Sequence, residues 1–373
     1  MCGVTFFCLR ETNVKKFYFI CFFLLFYFLF TLSVSAENIN APGSTRTLTS
    51  PESVANSTSP QIDYEEIKTL KGYQGDILSI AFSPDGKLLV GGTTEQSIVI
   101  WDVANWQIIK TLVEDDDDVR ALAFSRNGKY LASGYKHNKV HVWDTSTWKK
   151  ICSINTSKPV NSLSFNGDSN VLAIARDDDT ILLWDIKKDK THNELKGHTN
   201  DVKAIAYSPD GLRLASGSRD NSAIIWDAIS GDKIKVLNGH ANNVEAISYS
   251  PDGKYLVTGS NDNSIVIWDA KTGNYIDTLL GHTERICTLS FVPHSDILVS
   301  GDCIIRKGPF GIQIRHSGSE CKVNFWNIQA LKPIESADFD CGSSCAAFSP
   351  DGKYFVIGHA VGGRFITIYK LVY

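Results

Sequence analysis

His198, Ser216 and Asp220 carry the three side-chain types of a nucleophilic hydrolase. A hydroxyl would attack, an imidazole would take its proton, and a carboxylate would orient the imidazole. Trp226 completes a group of four, and His240, Thr258, Asp262 and Trp268 repeat the group 42 residues later. A catalytic centre needs one copy in one place. A constellation that returns at a fixed interval marks a repeated structural unit, whose buried polar groups must be satisfied internally. Both sets are therefore expected to be structural, with no catalytic residue among them.

The interval extends along most of the chain. Trp-Asp occurs at Trp101-Asp102, Trp143-Asp144, Trp184-Asp185, Trp226-Asp227 and Trp268-Asp269, at steps of 41 or 42 residues. Trp326-Asn327 follows after 58 residues and Tyr369-Lys370 after a further 43. Ser-Pro-Asp-Gly precedes at Ser83, Ser208, Ser250 and Ser349, and Gly-His at His198, His240 and His282. Within one period the local chemistry predicts four short strands: Val202–Tyr207, Leu214–Gly217, Ala223–Trp226 and Lys233–Leu237. Their residues are β-branched, aromatic or alternating, and tight turns at Ser208–Gly211 and Asp220-Asn221 separate them. Four strands every 42 residues or so is the spacing of a propeller blade.

The combined Gly-His, Ser-Pro-Asp-Gly and Trp-Asp pattern resembles the WD40-repeat family over about residues 62–373. The resemblance implies an all-β, seven-bladed WD40 β-propeller, in which His198, Ser216, Asp220 and Trp226 form a hydrogen-bonded tetrad tying loop, turn and strands together. It also implies that the ring closes by giving the last blade an N-terminal outer strand, with 66–70 pairing against 365–369. The first repeat departs from the pattern, with Tyr73, Gly91 and Glu95 at the polar tetrad positions. The second has His137 where Asp belongs.

Two acidic runs are expected on the top face, where most relatives bind partners. Asp115, Asp116, Asp117 and Asp118 stand in the place of Gly-His in repeat two, and Asp177-Asp178-Asp179 in a turn of repeat three. Solvated loops, an acidic patch for a basic partner and weak calcium binding are the open readings. No EF-hand spacing is present, so no metal site is assigned.

Repeat six carries an insertion at 304–319. Ile304–Lys307 and Ile312–Arg315 flank Gly308-Pro309-Phe310-Gly311, which reads as a small hairpin. Insertions on a rigid scaffold are where specificity tends to reside, so Arg306, Lys307, Phe310 and Arg315 are the candidate partner contacts. Cys303 and Cys321 end neighbouring strands at its base and are expected to pair in an oxidising compartment. Cys341 and Cys345 either pair with each other or stay reduced.

The N-terminus reads separately. Arg10, Lys15 and Lys16 precede an apolar run from Phe17 to Phe30, and Val34-Ser35-Ala36 follows. This is the layout of an export signal, or of an uncleaved membrane anchor, over residues 1–36. Residues 37–61, rich in Ser, Thr, Asn and Pro, read as a flexible linker. Asn56 and Asn155 fit the N-glycosylation pattern. The net charge of -4 and the export signal disfavour nucleic acid. The reading that results is a monomeric propeller, exported or membrane-tethered, that binds a protein or peptide without a cofactor. The alternative is an extracytoplasmic propeller enzyme of hydrolase or lactonase type, which would need converging His and carboxylate groups at the channel mouth.

Overall fold

The computed structural model describes residues 63–113, 117–302, 306–307, 313–314, 320–340, 343–359 and 364–372. The expected signal or anchor at 1–36 and the linker at 37–61 lie outside these residues. Among the described residues no helix is long and apolar enough to cross a membrane.

Each period folds into a four-stranded antiparallel sheet whose strands follow one another in sequence order. Blade four consists of Val202–Tyr207, Arg213–Ser218, Ser222–Asp227 and Lys233–Asn238. Each strand predicted for this blade is present there. The turn between the first two strands is closed by Ser208, whose hydroxyl donates to the Asp210 carboxylate while Gly211 takes φ 73°. A positive φ costs a residue with a Cβ about 1–2 kcal/mol, which is why glycine closes this turn. Asn221, with φ 68°, does the same at the second turn, where its short side chain tolerates that conformation.

Seven such sheets form a ring. The inner strands run Ile77–Phe82, Val119–Phe124, Val160–Phe165, Val202–Tyr207, Val244–Tyr249, Ile286–Phe291 and Ser343–Phe348, and each packs against the next, the last against the first. The apolar core is divided the same way, into clusters that each join two adjacent blades. Trp226 of blade four, for example, is buried among Ala173, Ala175 and Ile181 of blade three. Burying each large side chain contributes about 1.5–3 kcal/mol.

Close approach between blades depends on a small residue in the second strand. A Cβ on Gly217 would stand 2.6 Å from Val244 Cγ1 of the next inner strand, and one on Gly134 2.6 Å from Val160 Cγ1. Blade three manages the same contact with Ala175.

The ring closes as the family resemblance implies. Asp63–Leu70 is the outer strand of blade seven and pairs antiparallel with Ile366–Val372, from Leu70 opposite Ile366 to Asp63 opposite Val372. A register shift lies between Glu66 and Lys68. Pairing removes an edge that would otherwise template association with another chain. In blade six, Gly301 opposes Val323, as Gly217 opposes Ala223 in blade four, so the extra residues enter at the turn between the second and third strands. Within the insertion Arg306–Lys307 and Gln313–Ile314 form a two-residue antiparallel ladder. Phe310 and Arg315 lie outside the described residues.

Candidate functional site

The three-residue sets that resemble a hydrolase triad are assembled, and their geometry is that of a brace. In blade four His198 Nδ1 stands 2.8 Å from Asp220 Oδ2 and Nε2 stands 2.8 Å from Ser216 Oγ. Trp226 Nε1 donates to the same hydroxyl at 2.8 Å. An imidazole protonated at Nδ1 donates to the carboxylate and accepts from the serine, so every polar atom is used. Asp220 also accepts from the Thr199 N–H at 3.0 Å and the Ser222 hydroxyl at 2.6 Å. Burial works against the charged form of Asp220. The hydrogen bonds from His198, Ser222 and Thr199 outweigh it and hold the carboxyl below its usual range.

Blade five repeats the brace with His240 to Asp262 at 3.0 Å, His240 to Thr258 at 2.8 Å, and Trp268 to Thr258 at 2.9 Å. Here burial lowers the His240 pKa despite the neighbouring Asp262, so the ring is kept neutral. The hydroxyl residues Ser216 and Thr258 have no accessible surface on which a substrate could be attacked.

A third brace was not singled out from sequence. His282 meets Asp302 at 3.1 Å and Ser300 at 2.7 Å, and Trp326 donates to Ser300 at 2.7 Å. Asp302 occupies the ladder position of Ser218, two residues before the position of Asp220, since it opposes Ile286 as Ser218 opposes Val202.

Blade three replaces the brace altogether. Arg176 is buried and donates to the Thr156 carbonyl at 3.3 Å, to Thr180 Oγ1 and to Glu194, while Asp178 lies 3.2 Å from its Nε. One guanidinium thereby joins loop, turn and outer strand. Trp184 Nε1 has no hydrogen bond, since Ile174 stands where Ser216 accepts from Trp226 in blade four. In blade one the buried Tyr73 packs edge-on against Trp101 at 5.5 Å instead.

Most of the described members of the acidic runs are engaged by neighbouring side chains. Asp117 is buried and pairs with His137, and Asp118 pairs with Lys136 at 3.6 Å. Asp115 and Asp116 lie outside the described residues. Asp177 pairs with Lys203 at 3.2 Å and accepts from Asn161 at 2.6 Å. Among the described residues no group of three or more His, Cys, Asp or Glu side chains is placed to hold a metal ion.

The open surface lies at the mouth of the central channel, and a repeated backbone irregularity builds it. Every inner strand pairs with its neighbour through a register shift after its first residue. A bulge re-aims the extra residue out of the ladder. In blades one to six those residues are Leu78, Arg120, Asn161, Lys203, Glu245 and Cys287, and they line one cavity of about 570 Å³. Asp118, Arg219 and Arg285 complete its polar wall. The side chains that hold a blade together repeat from period to period, whereas these differ in nearly every blade. Sequence reading passed over them because each sits alone beside a strand start; the signal was the 42-residue spacing of unlike residues.

Cys287 is disulfide-bonded. Cys152 is a free thiol, and burial, aided by Asp189, pushes it up to about 12. Cys303 lies outside the described residues, and Cys321 is described only as a position in the third strand of blade six, opposite Phe339.

The family model for the WD domain, G-beta repeat, matches residues 64–102, 106–144, 148–185, 189–227, 231–269 and 273–306, together more than half of the chain. Each match begins at or just before the outer strand of one blade and runs on into the next. No curated protein matches the chain. Six matched repeats, on a ring whose buried His, Ser or Thr, Asp and Trp side chains recur in blades four, five and six, place this chain in the WD40-repeat family.

Proposed function

We propose that this protein is a binding scaffold for a protein or peptide, a monomeric propeller that works from its top face and is exported or membrane-tethered by residues 1–36. The observation that carries this reading is the channel mouth. A rigid ring presents unlike side chains around a cavity of about 570 Å³. An enzyme of the lactonase or hydrolase kind would need His and carboxylate groups converging there. The described lining offers Asp118 and Glu245 as its carboxylates and no imidazole. WD40 propellers in general hold protein partners. Arg306, Lys307, Phe310 and Arg315 of the blade-six insertion supply further contacts.

Two measurements on the full chain in its host test the reading. Photo-crosslinking residues placed at Phe310 and Arg120 should trap a discrete partner, whereas one at the exposed Leu212, in a turn on the opposite face, should not. Equal trapping from Leu212, or none from the top face, overturns the scaffold. Fractionation with intact mass, with and without reductant, tests export and oxidation. A soluble species beginning at Glu37, or a full-length membrane-bound one, supports the N-terminal assignment. A full-length, fully reduced cytosolic protein overturns it, together with a Cys303–Cys321 bond. Non-reducing peptide mapping then assigns the partner of Cys287.

A further inference from the structure

We infer that the channel mouth is a carboxylate-recognition site for an acidic peptide segment, with Arg120 as its principal contact. The inference rests on the scaffold reading and names the ligand chemistry. The wall carries four cations, Arg120, Lys203, Arg219 and Arg285, against two carboxylates, Asp118 and Glu245.

Internal pairing then sorts them, Arg285 being half-buried and engaged within the protein. Lys203 is held by Asp177 and by Asn161 Oδ1 at 2.9 Å, and Arg219 by Asp201 at 2.6 Å. Asp118 is held by Lys136, and Glu245 accepts from Asn261 Nδ2 at 3.1 Å. Arg120 is exposed and makes no ion pair among the described residues. A guanidinium aimed into a concave, partly desolvated mouth by a strand bulge presents a fork of donors that matches a carboxylate in two parallel bonds. Walls of low dielectric focus its field along the opening.

The same geometry selects a peptide over a phosphate-rich ligand. Glu245 stands on blade five and Arg120 on blade two, so the mouth offers both signs from different sides of the ring. A polyphosphate or nucleic-acid backbone would meet Glu245 and Asp118 as repulsion. An acidic side chain followed by amide or cationic donors satisfies both.

The experiment selects a random peptide library displayed on phage against the full-length protein, then ranks the enriched peptides by fluorescence polarisation. Enriched peptides should share an Asp or Glu at one fixed position. Their affinity should fall about tenfold or more on Arg120→Glu and partly recover when that acid becomes Lys. An unchanged thermal midpoint certifies that Arg120→Glu is folded. Enriched peptides without a fixed acid, or insensitive to Arg120→Glu, overturn the inference and leave the scaffold standing. Displacement by tripolyphosphate at comparable affinity also overturns it, in favour of a phosphate ligand. If no peptide enriches at all, the scaffold reading itself fails.

Discussion

His282 and Asp302 form a buried pair at 3.1 Å across a blade whose connecting turn is interrupted by the insertion. The carboxylate reaches the imidazole from two strand positions earlier than in the neighbouring blades, and its other oxygen accepts the Lys322 N–H at 2.8 Å. The brace is therefore separable from the turn that normally supplies its acid, and this leaves the turn open to elaboration.

Asp302→Ala removes both acceptors and leaves the His282 imidazole and the Lys322 amide unsatisfied in a buried setting. The expected loss is about 2–3 kcal/mol. Urea unfolding should show a lower midpoint at unchanged slope. A loss under about 0.5 kcal/mol would mean that the pair is incidental.

Arg176 in blade three is the second energetic hub. Its partners Asp178 and Glu194 are partly solvated, with side-chain exposures of 23% and 36%, so the figure for a fully buried pair is discounted. Arg176→Met should cost about 2–4 kcal/mol. Arg176→Lys should recover little, because an ammonium cannot serve Thr156, Thr180 and Glu194 together. Recovery by Lys to near wild type would show that charge, and not the planar fork, is what matters.

The braces also set a pH dependence. His240 has its pKa lowered from 6.5 in the folded state, so on acidification the unfolded chain takes up that proton first. Stability is fully present above about 6.5 and is lost as pH falls towards the lowered folded value. Asp220 and Asp262 are lowered from 3.8, which adds a second loss below about pH 4 with the same sign. Thermal midpoints recorded from pH 8 to 3 should therefore decline in two stages. A midpoint that rises between pH 7 and 5 would contradict the neutral His240.

Gly217→Val tests the seam between blades four and five. With 2.6 Å available between the added Cβ and Val244 Cγ1, the substitution forces the blades apart. A cost of about 1–3 kcal/mol or more is expected. Combining Gly217→Ala with Val244→Ala should be less harmful than the sum of the two single changes, because the second makes room for the first. Strict additivity would place the strain elsewhere.

The strands were legible in the sequence because each blade is a local object, whereas ring closure was implied only by the resemblance to the WD40 repeats. Alternation, Ser-Pro-Asp-Gly turns and a buried tryptophan all lie within one period. The braces of blades four and five were legible for the same reason. Asp302 was not, since it performs the duty of Asp220 from the place of Ser218 and only the ladder register reveals it. Arg176 showed in the sequence only as an odd residue where Ser, Thr or Tyr stands in the neighbouring repeats. The run at Asp115–Asp118 left its role open in the sequence, whereas in the structure Asp117 is buried against His137 and Asp118 is paired with Lys136. The mouth residues were hidden because a bulge shifts one side chain out of an otherwise regular strand, and hydrophobic alternation carries no mark of it.

The pairing of Asp63–Leu70 with Ile366–Val372 has a kinetic consequence. The first strand of the ring to be synthesised is the last to find its partner, because that partner is the last strand of the ring in chain order. Until then six blades can assemble by contacts between near neighbours, while an unpaired strand edge persists at each end of an open arc. Closing it joins positions some 300 residues apart, a step whose loop entropy must be overcome before any of its contacts form. A ribosome that stalls or a protease that cuts before Ile366 would therefore leave an arc with two adhesive ends, and aggregation of such truncated chains is the failure this architecture invites.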